Sequence, residues 1–483
     1  MRTIRIGGGA GYGGDRIEPA LELIRYGNLD YIIFECLAER TIALAQQRKL
    51  ADPEQGYNEF LEYRFENILP LLKEQIEAGK SPVKIITNMG AANPHSALHA
   101  LRVLACEAGL PQLRIAAVLG DDVYDRVIGR RTDTGEAIAA YDELTVLETG
   151  EPLKTLKDKI VSANAYIGAE GIIKALEQGA DIVITGRVAD PALVLGPLVY
   201  EFGWAMDDWD KLGKGTAAGH LLECGAQVCG GYFADPGYKN VPEVWNQGFP
   251  IAEVAEDGTI TITKLEQAGG CVTEDTVAEQ LIYEIHDPAR YLTPDVTADF
   301  SNIFLETEEK DRVIVKGASG SRKNGFYKVS VGYRDGFIGE GEISYGGAGC
   351  VKRAELAAKI VRHRLKPWED RIGELRIDLI GVNSLYGSGN IGENNGSEVF
   401  VQNPEPAEVR LRVAVRSEDR RVAAVVGEEV ETLYTNGPAG GGGARKYVRS
   451  VMSVASVFIP QSDVEIRVMI SDAAAEQNCG KEA

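Results

Sequence analysis

The chain has 483 residues, 44% of them apolar and 25% charged, and a formal net charge of −21. A chain of this length can bury a large core and form two or three domains, and so acidic a surface repels phosphate backbones and excludes nucleic acid as a partner. No apolar stretch is long enough to span a membrane, and seven scattered cysteines without framework spacing fit reduced thiols in a cytosol.

The chain begins on a strand-like pattern, TIRI, without a charged-then-apolar leader, so no signal peptide is expected. It runs into GGGAGYGGDR, with six glycines in eight residues, and then a helical pattern over Ile17–Arg25. Gly9, Gly11 and Gly14 form G-x-G-x-x-G between a strand and a helix, the context for an anion at a helix N-terminus. Glu35 lies 21 residues past Gly14, where a dinucleotide fold keeps its ribose-binding acid. Gly7, Gly8 and Gly13 blur the fingerprint, and Asp15 and Arg16 place a charged pair at the helix start. The loop therefore reads as an NAD(P) site, as a site for another phosphate or carboxylate, or as a tight turn with Asp15 favoured by the helix dipole.

LDYIIF precedes the helical CLAERTIALAQQRKL, and PVKIIT precedes NPHSALHALRVLACEAG. Asn93 can cap that second helix, with Pro94 at its first position. His95 and His99 share a face, but no Glu lies between them as in a zincin, and no metal is assigned. Asn88 and Asn93 can hydrogen-bond a substrate carbonyl or simply serve turn and cap. LRIAAVL precedes GDDVYDRV, where Asp121 and Asp122 can share a proton, hold Mg²⁺ or sit in a solvated loop. DKIVSANAYIG leads to AEGIIKALEQGA, and DIVIT to GRVADPALVL. Arg187 leaves the end of that last strand, where a guanidinium suits a carboxylate or thioester oxygen. Asp190 precedes Pro191 and is either functional or a helix cap. Strands flanked by helices predict an α/β fold, a mostly parallel sheet with helices on both faces, with ligands bound beyond the carboxyl ends of the strands.

In AAGHLLECGAQVCGGYFADP, a helix would put His220, Glu223, Cys224 and Gln227 on one face. That is a nucleophile or acid/base set, although buried cysteine is also a common small hydrophobe, and Cys224 with Cys229 lacks zinc-knuckle spacing. A hairpin-rich part follows at about 230–350, with Asp257-Gly258 and Asp335-Gly336 read as tight turns. A helix over Val351–Arg364 leads to a small α+β domain. The predicted boundaries are 1–370, 371–472 and a disordered tail, 473–483. In NGPAGGGGARKYVR, Arg445, Lys446 and Arg449 follow four glycines and read as a phosphate site or a flexible loop.

GGGAGYGGDR, ECLAERTIALAQ, TNMGAANP, SANAYIGAEGI, ITGRVADPALVL, HLLECGAQVCGGYFADPG and EQLIYEIHDPARYLTPDV together resemble the acyclic terpene utilisation protein A (AtuA) family, from Thr3 to roughly Val468. The resemblance implies a large N-terminal α/β domain, a ferredoxin-like C-terminal domain and a cytoplasmic role in bacterial breakdown of citronellol- and geraniol-type compounds. The implied step is a lyase reaction, carbon–carbon cleavage of a 3-hydroxy-3-isohexenylglutaryl thioester with release of acetate. Coenzyme A then enters as part of the substrate, with its phosphates at the opening loop or at Arg445 and Lys446, and no separate cofactor is implied. Asp190 or Asp121 would be the base, Arg187 the stabiliser of the nascent enolate, and Cys224 or His220 the acid. A hydratase would use the same parts differently. The other readings are an NAD(P)-dependent oxidoreductase binding its cofactor at Glu35 and a non-catalytic subunit of a catabolic complex. A small acyl thioester or carboxylate is the expected partner, with no membrane, and a homo-oligomer is expected.

Overall fold

A computed structural model describes residues 1–129, 141, 143–385 and 406–471. Five short apolar runs, Thr3–Gly8, Tyr31–Phe34, Lys84–Thr87, Ile182–Thr185 and Ile115–Leu119, lie side by side and parallel in that order. Burial on both faces explains why they are apolar almost throughout. Antiparallel strands extend both edges. Pro250–Ala255, Ile260–Lys264, Arg312–Lys316 and Phe304–Glu309 continue outward from Thr3–Gly8, and Arg467–Ile470 flanks Ile115–Leu119. The ten-stranded sheet is therefore mixed rather than mostly parallel. Short turns oblige hairpin strands to pair antiparallel, and four strands of the hairpin-rich part add to the sheet edge, while Ser319–Ser321, Thr297–Asp299 and Tyr291–Leu292 form a small sheet of their own. Asp257-Gly258 is the turn expected: Gly258 has φ +85° and Ala255 N–H donates to Thr259 O at 2.9 Å.

Helices cover both faces. Ile32 and Phe34 pack with residues of the helices Glu18–Tyr26, Leu61–Glu77 and Pro94–Glu107. Tyr31 points the other way, as alternation along a strand requires, and its hydroxyl donates to Glu201 of the helix Ala192–Phe202 at 2.6 Å.

The chain divides into two units, residues 1–332 with the segment from Val454, and Tyr333–Ser453. The division falls elsewhere than at residue 371, because the strands Phe326–Gly346 and Gly441–Pro460 each run through it and no loop marks it. Asp335-Gly336 is not a turn. It lies inside Phe326–Gly346, where Phe337 onward pairs with Glu408–Ser417 and Asp335 is held in line by Arg416 and Ser453. The glycines before Arg445 begin a strand rather than a loop. The second unit runs strand, helix (Cys350–Leu365), strand, strand, helix (Arg420–Glu431), strand. Its sheet order is Glu374–Ile380, Glu408–Ser417, Phe326–Gly346, Gly441–Pro460. The tail at 473–483 lies outside the described residues. No described helix is long and apolar enough to cross a membrane.

Candidate functional site

The first unit holds a cavity of about 1050 Å³ beyond the carboxyl ends of the parallel strands. Its lining joins the opening loop (Gly11, Asp15), the end of Tyr31–Phe34 (Glu35, Glu39, Arg40), the end of Ile182–Thr185 (Arg187, Asp190) and the His220–Gln227 segment. Tyr166, Glu284, Tyr291 and Lys328 complete it. Six carboxyl groups line it against three Arg and Lys side chains, an acidic balance.

Arg187 is the hub. The buried run IVIT delivers it after Gly186, and it is 1% exposed. Its Nε and Nη2 donate to Val188 O at 3.0 and 2.8 Å, Nη1 donates to Leu37 O, and Nη2 also donates to Asp190. Four of its five N–H groups are thus committed to the protein. Its guanidinium carbon stands 4.5 Å from the Tyr166 ring centre. Surrounding carboxylates outweigh burial and keep it protonated.

Asp190 does not cap the following helix, which starts at Ala192 without a side-chain cap. Its carboxylate pairs with Arg187 and stays partly open to the cavity. Burial raises its pKa against the pull of Arg187. Glu35 Oε1 lies 3.9 Å from the same nitrogen, Arg187 Nη2. Its Oε1 accepts from Leu37 N–H at 2.9 Å and from the Asn88 side chain at 2.8 Å, and among the described residues Oε2 makes no hydrogen bond. Burial, reinforced by the Asp190 charge, pushes its pKa up to about 8, which favours the protonated acid near neutrality. One guanidinium nitrogen therefore serves two carboxyl groups, Asp190 in direct contact and Glu35 at 3.9 Å, an unequal pairing of the kind that divides base from acid.

Asp121 is behind this site and not in it. It is buried, accepts from Arg187 N–H at 2.8 Å and from Asn164 at 3.0 Å, and burial pushes its pKa up to about 6. It holds the backbone that presents Arg187. Asn88 likewise positions Glu35 and also accepts from Cys36 N–H at 2.7 Å.

His220 lies in the last turn of the helix Trp209–Glu223, and its Nδ1 lies 2.8 Å from Glu223. Burial lowers its pKa, but the Glu223 charge and hydrogen bond, with backbone carbonyls of Gln280 and Leu281, raise it further. Its ring sits against Tyr291 and Phe300, and its Nε2 is buried without a hydrogen bond. His220 is thus a buried partner of Glu223 at the cavity lining. The helix stops at Glu223, Cys224 caps it, and Gly225–Cys229 continues as a tighter helical turn, so the four residues read as one helical face reach the cavity from two elements and the junction between them. Burial and the Glu223 charge push the Cys224 thiol up to about 12, and burial raises Cys229 as well, which suits neither as a thiolate.

The opening loop closes on itself. Gly11 N–H donates to Asp15 Oδ2 at 2.9 Å, so the loop's own carboxylate occupies the place of an anion. A Cβ on Gly11 would stand 2.5 Å from the Cys224 carbonyl carbon, so the glycine is needed where the loop crosses the Cys224 backbone. Gly9 N–H donates to Ile33 O at 2.7 Å, and neither it nor Gly14 or Arg16 lines the cavity; Arg16 is exposed beside Glu18. Asn93 caps its helix by accepting from Ser96 N–H at 3.3 Å, and His95 and His99 are exposed. Arg445 and Lys446 lie on the strand Gly441–Pro460 of the second unit, Lys446 paired with Glu428 and Glu431. No group of three metal-ligating side chains occurs among the described residues.

Tyr166, Glu39 and Lys328 were not singled out in the sequence. Tyr166 donates to Glu39 at 2.9 Å, and Lys328 pairs with Glu39 at 2.7 Å. The first two lie in strand-end segments, which is a readable signal; Lys328 comes from a distant strand and left none.

A model of the family described as acyclic terpene utilisation family protein AtuA matches residues 4–470. No curated protein and no solved structure matches the chain.

Proposed function

The chain belongs to the acyclic terpene utilisation family AtuA, and on that premise we propose that it is an acid/base lyase acting on a branched 3-hydroxy acid or its coenzyme A thioester. The carrying observation is that Arg187 Nη2 meets two carboxyl groups, Asp190 in direct contact and Glu35 at 3.9 Å. Asp190 takes the proton of the tertiary hydroxyl. The carbonyl forms as the adjacent carbon–carbon bond breaks, and the bonding pair passes to the departing carboxymethyl group as an enolate. Glu35 then gives its proton to that carbon, releasing acetate. The one uncommitted N–H of Arg187 is the donor left for the developing oxyanion. Asp121 and Asn88 position Arg187 and Glu35.

The acidic lining repels phosphates, so the acyl end enters the cavity and the nucleotide of a thioester stays outside it. A nicotinamide-dependent reading is weaker: Glu35 favours its protonated form and is engaged by Asn88, and Gly11 N–H already binds Asp15. The strand and helix order of the second unit supports a ferredoxin-like domain. The test is incubation with a 3-hydroxy-3-isohexenylglutaryl thioester, with acetate followed by NMR. Acetate release that disappears in Asp190→Asn supports the reading. No acetate from wild type, or undiminished release from the variant, overturns it.

A further inference from the structure

Three cations line the cavity, and two are already committed. Arg187 has four N–H groups bound within the protein, and Lys328 is paired with Glu39 at 2.7 Å. Arg40 differs. It is exposed, it is the second residue of the helix Glu39–Ala51, and it has no ion-pair partner among the described residues.

We infer that Arg40 recognises an anionic group of the ligand, a carboxylate or a phosphate, at the edge of the cavity. The inference rests on this cavity being the ligand site of the proposed reaction. A planar guanidinium with free donors pairs such a group through two parallel hydrogen bonds. Its place on the helix puts the positive end of the helix dipole beside the same charge. Asp190 and Glu223, buried deeper, repel an anion. The ligand is thereby oriented, with its anion on Arg40 and its uncharged reacting carbon toward Glu35 and Asp190.

Titration calorimetry with two probes tests this on the full chain. The first is 3-hydroxy-3-methylglutarate, which carries carboxylates only; the second is coenzyme A, which carries phosphates. Arg40→Ala is expected to weaken one of them by about tenfold or more, and Arg40→Lys to recover part of the loss. The affected probe identifies the source of the anion. Because Arg40 is exposed, both variants should melt like wild type. Unchanged affinity for both probes in Arg40→Ala, or no binding of either by wild type, overturns the inference. Weakened binding in Arg40→Ala with no thioester turnover by wild type upholds Arg40 and overturns the reaction. Turnover by wild type with unchanged affinities in the variant does the reverse.

Discussion

Asn88 donates to Glu35 Oε1 at 2.8 Å from the end of the neighbouring strand, and the same side chain accepts from Cys36 N–H at 2.7 Å. The amide locks the acid in place and pulls its pKa down somewhat from where burial would put it. Asn88→Ala should cost about 1–3 kcal/mol in urea unfolding, the usual penalty for a buried hydrogen-bonding group left alone. It should also move the alkaline limb of the rate profile to higher pH. A stability loss without that movement would make Asn88 a structural residue only.

Glu35 also sets a dependence of stability on pH. It keeps its proton up to about pH 8 when folded, against an ordinary value of 4.5, so between those values folding takes up a proton. Its contribution to stability is present at low pH and falls as the pH rises toward 8. Glu35→Gln removes that proton uptake. The urea midpoint of the variant should gain on wild type steadily across this range, and parallel curves would contradict the assignment.

Arg187→Ala leaves Asp190 without its ion pair and opens the bonds to Leu37 and Val188. Turnover should fall by roughly a hundredfold or more. Arg187→Lys keeps the charge but cannot span the same partners, so it should recover little. Circular dichroism checks folding, and near-normal turnover in Arg187→Ala would remove Arg187 from the mechanism.

Gly11→Val should destabilise the protein rather than selectively block a ligand, because the new Cβ meets the Cys224 backbone at 2.5 Å. Overpacking of this kind costs about 1–3 kcal/mol. An unchanged melting temperature would show that the loop is free to move.

Cys224 should resist alkylation by iodoacetamide below pH 9, since its thiol is pushed up to about 12, and Cys229 is fully buried. Rapid, ligand-protected labelling of Cys224 near pH 7 would restore it as a reactive thiol.

Much of this site was legible in the sequence because runs such as DIVIT and LDYIIF are too apolar to be anything but buried strands. The polar residues that follow them must then emerge together at one sheet edge, as Glu35, Arg187 and Asp190 do. Their division of labour was not legible. Glu35 looked like a ribose ligand from its spacing, and Asp121 like a reacting carboxylate from its position. Only the fold puts Asn88 on the one and the Arg187 backbone on the other. The glycines of the opening loop suggested an anion or a tight turn, whereas what comes close to Gly11 is the Cys224 backbone. Asp335-Gly336 carries a turn signal that strand pairing overrides, since Gly336 takes φ +73° within a continuous strand. Lys328 and Tyr291 reach the cavity from the hairpin-rich part, and nothing local marks them.

The central claim is that Asp190 is the base and Glu35 the acid, and the rate profile against pH tests it most directly. With the branched 3-hydroxyacyl thioester as substrate, wild-type kcat/KM should rise as Asp190 ionises and fall as Glu35 loses its proton near pH 8. Glu35→Gln should lose about a hundredfold or more of activity and show no alkaline limb at that pH. A Glu35→Gln variant with wild-type rates and the same limb near pH 8 would contradict the account.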